Sequence, residues 1–373
     1  MKTYLKVQGR DISTRAMADD VLARCREFDG VVLFVASGKV TYPDSAYMPS
    51  WDYGEFDPPG YFIPRCRELG LEIYPWWAIG VAPQDAAFRS RYPGLDLALL
   101  PEVPDDFHWL DFRQQQAKQL IANVFLEIVE RYNPTGVLLD GIRWEGGSAT
   151  PGWHWSDVRT PDDVTDTVAY IRDAVDAPVV ASVMAWNFGA SHGQMWSEWL
   201  DAGIVDRVFP LNYIDRDESA PYYANLDFLT GLMTEDWLGL DRERVIPTLK
   251  CFSGDGPTRR PKTVEELQDE VALVWAWGAS GISWFDEKRL RELSIDAIQY
   301  INELNDGGIM AVIDELTGVV DALNAEADTL DNLEHAEHGQ ILRDQATVIL
   351  AQIVALQDVD AALDAAADVI EVG

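Results

Sequence analysis

The sequence predicts an α/β protein, a (β/α)8 TIM barrel followed by an all-helical C-terminal tail. Two observations predict the barrel: short apolar runs alternate with longer amphipathic stretches up to residue 304, and there are eight such runs. A third observation separates the tail, because after a break at 305–308 the chain contains no aromatic residue and no proline. We therefore expect a barrel domain over 1–304 and a helical, heptad-like tail over 305–373.

The eight strand-like runs are short and rich in Val, Ile, Leu and aromatic residues. The first three begin at Tyr4, Val31 and Leu71, and the others end at Asp140, Trp186, Tyr213, Lys250 and Asp286. Helical stretches lie at 14–28, 60–70, 113–132, 161–175, 197–203, 225–233 and 263–279, and a closing helix is expected at 288–304. Strict alternation implies parallel strands. An open doubly wound sheet is the alternative, but no GxGxxG follows the first strand.

The charge balance excludes several classes of partner. The chain has 63 acidic and 29 basic residues, a formal net charge of −34, and only seven of the basic residues are Lys. Such a surface repels nucleic acid and anionic lipid. In molar salt the Debye length falls to about 3 Å, so the carboxylates no longer repel one another and keep the surface hydrated. The composition therefore favours a halophilic protein, with an acidic mesophilic protein as the alternative.

The sequence also indicates where the protein works and what it lacks. The mean hydropathy is −0.12 and no run of about 18 apolar residues is present, so no membrane span is expected. The N-terminus, MKTYLKVQGRD, lacks the apolar region of a signal peptide, which predicts a cytoplasmic or particle-borne (virion) protein of a high-salt organism. Cys25, Cys66 and Cys251 are far apart, which predicts three buried thiols. With five scattered His, we predict no metal and no cofactor.

Apolar residues recur in the tail at alternating spacings of four and three. They are Ile309, Ile313, Leu316, Val320, Leu323, Ala327 and Leu330 before Gly339, and Leu342, Ala346, Ile349, Ile353, Leu356, Leu363, Ala367 and Ile370 after it. This pattern is a heptad-like seam, typical of a coiled coil. A tail without aromatic side chains cannot form a core alone. We expect it to drive self-association, and the alternative is that it docks on the barrel as a helical hairpin that turns at Gly339.

Functional groups of a (β/α)8 barrel lie at the carboxyl-terminal ends of its strands and in the loops that follow them. Carboxylates and flat aromatic residues dominate these positions. That mixture suits sugars, whose C–H faces stack on aromatic rings while their hydroxyls bond to polar groups. The candidate substrate-binding residues are Tyr74, Trp76, Arg143, Trp144, Trp186, Asn187, Asn212, Tyr213, Asp215, Lys250, Trp284 and Asp286. For each tryptophan, a place in the core is the alternative.

The segment 134–147, PTGVLLDGIRWEGG, carries the strongest catalytic signal. An apolar strand delivers Asp140 to the rim, where Arg143 can keep its carboxylate ionised, as a nucleophile or a stabiliser of an oxocarbenium-like transition state requires. Glu145 is the leading partner acid, and the other candidates are Asp215, Asp286 and Glu287. The sequence leaves open whether the reaction retains or inverts the anomeric configuration. The alternative for Asp140 is a loop residue that pairs with Arg143.

Three stretches together carry a family resemblance. Residues 29–51 and 56–77 place a tyrosine-proline loop after a strand and an aromatic end on the next strand. Residues 109–144 join a long helix to a strand that ends in aspartate, followed by arginine and an aromatic residue. Residues 195–214 lead from a tryptophan-rich helix to a strand with a proline and an aromatic-polar end. In these features the chain resembles the glycosyl-hydrolase-like family 10 barrels over about residues 1–304.

That resemblance implies a TIM-barrel glycoside hydrolase with Asp140 as the catalytic carboxylate and with Arg143, Asn212 and Tyr213 lining the site. Two features depart from the family pattern. Glu145 stands where the family usually has proline, which supplies a candidate acid, and strand 6 ends Leu-Asn-Tyr rather than with a methionine-containing end, which affects the expected substrate. A chitinase-like arrangement fits less well, because Glu145 follows Asp140 by five residues rather than two.

Two functions from different classes follow. The first is a glycoside hydrolase that acts on a polysaccharide or cell-surface glycan through Asp140 and Glu145. The second is a catalytically silent glycan-binding or structural subunit of a larger assembly, such as a particle or tail component of a virus of a halophilic archaeon. The heptad-like tail favours the second function, because catalysis has no need of an assembly element.

Overall fold

The computed structural model describes residues 1–95, 109–144, 160–184, 192–213, 241–253, 260–277 and 279–285, together with scattered tail residues between 317 and 350. Eight parallel strands close into a barrel, which confirms the barrel predicted from the alternation. The closing seam joins the first and last barrel strands, with Lys2 in register with Gly281. The chain therefore forms a closed parallel barrel with its helices outside.

The strands are numbered in chain order. They are β1 Lys2–Val7, β2 Gly30–Ala36, β3 Glu72–Ala78, β4 Val137–Asp140, β5 Val179–Met184, β6 Arg207–Asn212, β7 Thr248–Lys250, β8 Phe252–Ser253, β9 Arg260–Pro261 and β10 Gly281–Phe285. The short β8 and β9 pair with each other as an antiparallel ribbon beside the barrel. Around the barrel the strands follow the order β1-β10-β7-β6-β5-β4-β3-β2.

The described helices match most of the predicted ones. They are α1 Arg15–Cys25, α2 Pro58–Glu68, α3 Ala86–Arg91, α4 Gln115–Tyr132, α5 Pro161–Ala174, α6 Trp196–Asp201 and α7 Val264–Trp277. Side-chain caps fix several starts: Thr14 accepts a hydrogen bond at α1, and Thr160 forms a capping box with Asp163 at α5. The six-residue α3 was not predicted, because it is too short to show a period. The predicted helices 225–233 and 288–304 lie outside the described residues.

Alternate residues of each strand point inward and fill the barrel in layers of four. The lowest layer, at the amino-terminal ends of the strands, contains three glycines and one arginine: Gly30, Gly136, Gly281 and Arg207. A Cβ on Gly30 would lie 2.7 Å from the ring of Tyr4, and one on Gly136 would lie 2.9 Å from the ring of Tyr74. The glycines therefore leave room for two inward-pointing tyrosine rings.

A hydrogen-bonded network closes this lower end of the barrel. Glu72 Oε2 accepts hydrogen bonds from the hydroxyls of Tyr4 and Tyr74, both at 2.9 Å, and from Arg207 Nη1 at 3.0 Å. Lys2 Nζ donates to the other carboxylate oxygen. Burial alone would raise the pKa of Glu72, but these donors hold it at about 2. The network thus ties together β1, β3 and β6, which are not adjacent in the barrel.

Strand register and alternation define the layers above this network. The two layers directly above the glycine-containing layer are largely apolar. The layer above these two contains Lys6, Trp76, Ser182 and Thr248 and is called the polar layer below. Above the polar layer, the mouth layer consists of Phe34, Asp140, Leu211 and Phe285, all of them partly exposed. The interior therefore changes from apolar to polar just beneath the mouth.

The outward-facing strand residues pack against the helices as the main core. The tryptophans Trp77, Trp144, Trp196, Trp199 and Trp284 are all fully buried there. The three cysteines are free and buried, which confirms the prediction of buried thiols. In the described part of the chain, no helix is long and apolar enough to cross a membrane.

The predicted tail, 305–373, lies almost entirely outside the described residues. Its isolated described residues between 317 and 350 are helical. Val320, Ala346 and Ile349, three positions of the predicted seam, are buried. The continuous seam and its role in self-association or docking stay predictions.

Candidate active site

Asp140 ends β4 at the mouth of the barrel. The preceding residues of the strand are buried, whereas the Asp140 side chain is partly exposed. It points inward because it lies two residues after Leu138, a member of the interior cluster. Gly141 follows with a positive φ of 62°, which turns the chain away from the strand, and the Asp140 carbonyl accepts a hydrogen bond from Ile79 N at 2.7 Å. The structure therefore places Asp140 at the carboxyl-terminal end of β4, and its catalytic role stays a prediction.

Lys6 of β1 is a buried cation inside the barrel on which the charge of Asp140 acts. It is 1% exposed, its Nζ donates to Ser182 Oγ at 3.2 Å, and the same atom lies 5.3 Å from the centroid of the Trp76 ring. Burial lowers the pKa of Lys6 from 10.5 to about 8, and the charge of Asp140 opposes that fall. Ser182 of β5 is the cross-strand neighbour of Asp140 of β4, because the preceding residues, Leu139 and Ala181, are in register. The mouth therefore holds a carboxylate above a buried ammonium.

An aromatic surface lines the same mouth. The rings of Trp76 and Phe285 are stacked with 6.4 Å between centroids, and Tyr213 stacks on Phe285 at 5.4 Å. Phe34 packs edge-on against Trp76 at 5.4 Å. Rings from β2, β3, β10 and the end of β6 thus form one apolar surface beside Asp140. Such a surface can stack on the C–H face of a sugar.

Lys250 of β7 adds a second cation at the mouth. It is in register with Phe285, and its Nζ lies 4.7 Å from the centroid of the Phe252 ring. The side chain is buried. The structure therefore places Asp140, Trp76, Tyr213 and Lys250 toward the carboxyl-terminal end of the barrel, and their roles in binding or catalysis stay predictions.

Arg143 does not pair with Asp140. Its guanidinium lies 5.9 Å from the ring centroid of Trp109, and its carbonyl accepts a hydrogen bond from Trp109 Nε1 at 2.9 Å. The charge of Asp140 acts instead on Lys6, the buried lysine of β1. Whether Arg143 keeps the carboxylate ionised stays a prediction.

Four predicted binding residues lie away from the mouth. Trp144 is fully buried, with its Nε1 bonded to the carbonyl of Thr160 at 3.0 Å, and Trp284 is fully buried on the helix side of β10. Asn212 is fully buried on the outward face of β6. Tyr74 points inward but lies three layers below the mouth layer, in the Glu72 network. The misplacement has one physical reason. A shift of one residue along a strand moves a side chain from the barrel interior to the helix side, and a shift of two residues moves it to another depth in the interior.

The remaining predicted residues lie outside the described part of the chain. They are Glu145, Trp186, Asn187, Asp215 and Asp286. The identity of the partner acid and its distance from Asp140 therefore stay predictions. Among the residues that the structure describes, no cluster of His, Cys, Asp and Glu could hold a metal ion.

Sequence reasoning missed Lys6, Ser182, Thr248 and Phe285. The available signal was Lys6, a charged residue in the middle of the apolar run YLKV. A lysine inside a strand whose two faces are both buried must point into a core or into a site. Ser182 and Thr248 gave no such signal, because short hydroxyl residues are common in strands.

Comparison with known proteins supports the fold. No protein-family model matches the chain, and no curated protein matches it by sequence. Among solved structures, the chain is similar to the PgaB (BpsB) glycoside hydrolase domain from Bordetella bronchiseptica, with a TM-score of 0.59 and 14% identity over 78% of this chain and 96% of that one. It is also similar to chitinase RmChi1 from Rhizomucor miehei, with a TM-score of 0.51 and 13% identity over 80% and 99% of the two chains.

A third similar structure is alpha-L-fucosidase isoenzyme 2 from Paenibacillus thiaminolyticus. Its TM-score is 0.53, and the match is 16% identical over 81% of this chain and 48% of that one. At these identities the likeness concerns the fold, and membership of the glycosyl-hydrolase-like family 10 stays a prediction. The chain thus has the TIM-barrel fold, in agreement with these similar structures.

Proposed function

We propose that this protein is a glycoside hydrolase that cleaves O-glycosidic bonds in a polysaccharide or a cell-surface glycan. The observation that carries the proposal is the partly exposed carboxylate of Asp140 at the end of β4, beside the aromatic surface of Trp76, Phe285 and Tyr213. A carboxylate next to flat apolar rings can both hold and cleave a sugar. The similar barrels of a glycoside hydrolase domain, a chitinase and a fucosidase support the same class of reaction.

In this mechanism Asp140 acts as the nucleophile or stabilises the positive charge that develops on the sugar ring. Both roles need an ionised carboxylate. The charge of Asp140 acts on the buried ammonium of Lys6, because charges interact strongly where water is excluded. This interaction supports Lys6, beside Arg143, as a cation proposed to face the carboxylate.

A second carboxyl group must protonate the leaving-group oxygen. Glu145 is the leading candidate, and its separation from Asp140 determines the stereochemical outcome. A separation of about 5 Å gives retention, and one of about 6.5 to 9.5 Å leaves room for a water and gives inversion. Product analysis by NMR during hydrolysis distinguishes the two outcomes directly.

The test compares Asp140→Asn with the native protein on neutral and acidic polysaccharides in high salt, with release of reducing ends as the readout. We expect kcat/KM to fall by at least about a hundredfold. Asp173→Asn, the same change on an exposed carboxylate of α5, is the matched control and should leave the rate unchanged. A native protein that binds glycan without hydrolysing it would overturn the proposal in favour of a binding protein.

We also propose that the barrel works in molar salt. The net charge of −34 supports this setting, because screening removes the repulsion among surface carboxylates. An assay over a salt series tests it, and maximal activity at low salt would contradict it.

A further inference from the structure

We infer that the polar layer and the adjacent Ser283 form a subsite for a carboxylate, so that the substrate is a glycan containing uronic acid. The polar layer consists of Lys6, Trp76, Ser182 and Thr248, directly beneath the mouth layer that contains Asp140. This inference rests on the proposed function, because it names the substrate class of the same site.

The first argument is a surplus of hydrogen-bond donors. Trp76 Nε1, Thr248 Oγ1 and Ser283 Oγ are buried without a hydrogen-bond partner. Thr248 and Ser283 are in register on adjacent strands, and both point inward. The ammonium of Lys6 donates one bond, to Ser182 Oγ. A buried polar group without a partner is costly, so a cluster of them in one interior indicates a group that they bind.

The second argument is the chemistry of these groups. An indole N–H and an ammonium can only donate, and the two hydroxyls can also donate. The matching ligand group is an acceptor, and a negatively charged one would share the Lys6 ammonium with the Asp140 carboxylate one layer above. A carboxylate offers two oxygens and about four acceptor sites, which fits this set. A phosphate or sulfate is more often held by the fork of an arginine, and the polar layer has none.

The third argument is access from the mouth. Phe34, Asp140, Leu211 and Phe285 of the mouth layer are partly exposed, whereas Lys6 below them is 1% exposed. A sugar ring resting on the aromatic surface would lie against Asp140, and only a small substituent could reach one layer deeper. The planar carboxylate at C5 of a uronic acid has that size.

The net charge of −34 sets the salt dependence of such binding. At long range this charge repels an anionic glycan, and molar salt reduces the Debye length to about 3 Å. The contact with Lys6 lies inside the barrel and is screened much less. Affinity for the acidic glycan should therefore rise with salt, which is the reverse of ordinary ion pairing.

The experiment measures binding by calorimetry in high salt, with Asp140→Asn present in every protein so that turnover cannot interfere. The probes are tetrasaccharides of glucuronate, galacturonate, mannuronate or guluronate, each paired with its carboxyl-reduced counterpart. We expect at least one acidic tetrasaccharide to bind about tenfold or more tightly than its reduced form. Adding Lys6→Met should remove that preference, whereas Lys118→Met, on the outer helix α4, should retain it.

A second variant covers the case in which Lys6→Met fails to fold. Thr248→Val keeps the side-chain volume and removes one donor, so it should reduce the preference about fivefold. Equal binding of every matched pair, a preference that survives both variants, or tighter binding of a sulfated sugar than of the uronate would overturn the inference. Hydrolysis of neutral glycans alone would overturn the inference and leave the proposed function intact. Uronate binding by a native protein that hydrolyses nothing would overturn the function and leave the subsite intact.

Discussion

Replacing Lys6 by methionine should make the barrel more stable at neutral pH. The pKa of the Lys6 ammonium is about 8 instead of 10.5, and each pKa unit corresponds to about 1.4 kcal/mol. The buried charge therefore lowers the free energy of unfolding by about 3 kcal/mol at pH 7. Losing the bond to Ser182 Oγ costs about 1 kcal/mol, so we expect a net gain of about 2 kcal/mol. Methionine has a similar length and adds no polar atom.

Urea unfolding at fixed salt measures this gain, first at pH 7 and then at pH 9.5. The folded pKa of Lys6 lies below the unfolded one, so between about 8 and 10.5 the unfolded chain binds more protons and native stability rises with pH. The difference in free energy of unfolding between Lys6→Met and the native protein should therefore be smaller at pH 9.5 than at pH 7. Raised tyrosine pKa values act on both proteins equally. A destabilised variant, or a gap of the same size at both pH values, would refute the reasoning. Lys118→Met removes a lysine whose ion-pair partner, Asp166, is 71% exposed, so it should change stability little at either pH.

Three further predictions concern other parts of the molecule. Glu72→Gln should destabilise the protein by about 2 kcal/mol at pH 7, because Arg207 and Lys2 lose their carboxylate. Since the folded pKa of Glu72 is lowered to about 2, native stability from this group should be lost as pH falls from about 4.5 to 2, and denaturant titrations of the variant should lack that loss. Transfer to low salt should lower the thermal midpoint, and an unchanged midpoint would argue against halophily. Removing 309–373 should leave a folded barrel of lower oligomeric state, and an unchanged number of subunits by light scattering would contradict a self-associating tail.

The barrel and the place of Asp140 could be predicted because they depend on patterns along the chain. Apolar strand runs alternate with helical periods, and the run before Asp140 ends at a glycine that turns the chain. Which side a residue faces could not be predicted in the same way. Both faces of a barrel strand are buried, so Trp76 and Trp77 look alike in the sequence although one lines the interior and the other packs on α4.

The depth of a side chain inside the barrel could not be predicted from the sequence either. Tyr74 and Trp76 share a face, but two residues along β3 separate the Glu72 network from the mouth. Lys6 was overlooked for a related reason. Its partners Ser182 and Asp140 are more than a hundred residues away along the chain, and only barrel closure brings these groups together. Arg143 was favoured because it is close in sequence, whereas charge interactions depend on distance in space.

The seam between β1 and β10 has a consequence for synthesis of the protein. One neighbour of β1 in the barrel, β2, is synthesised soon after it, but the other neighbour, β10, is complete only when synthesis reaches Phe285. Until then the nascent sheet has unpaired edges, and Lys6 cannot be enclosed in a barrel interior. Contacts this distant along the chain slow folding, and exposed strand edges favour aggregation. We therefore expect ribosome-bound chains that stop before residue 281 to remain sensitive to proteases, and released chains that include β10 to become resistant.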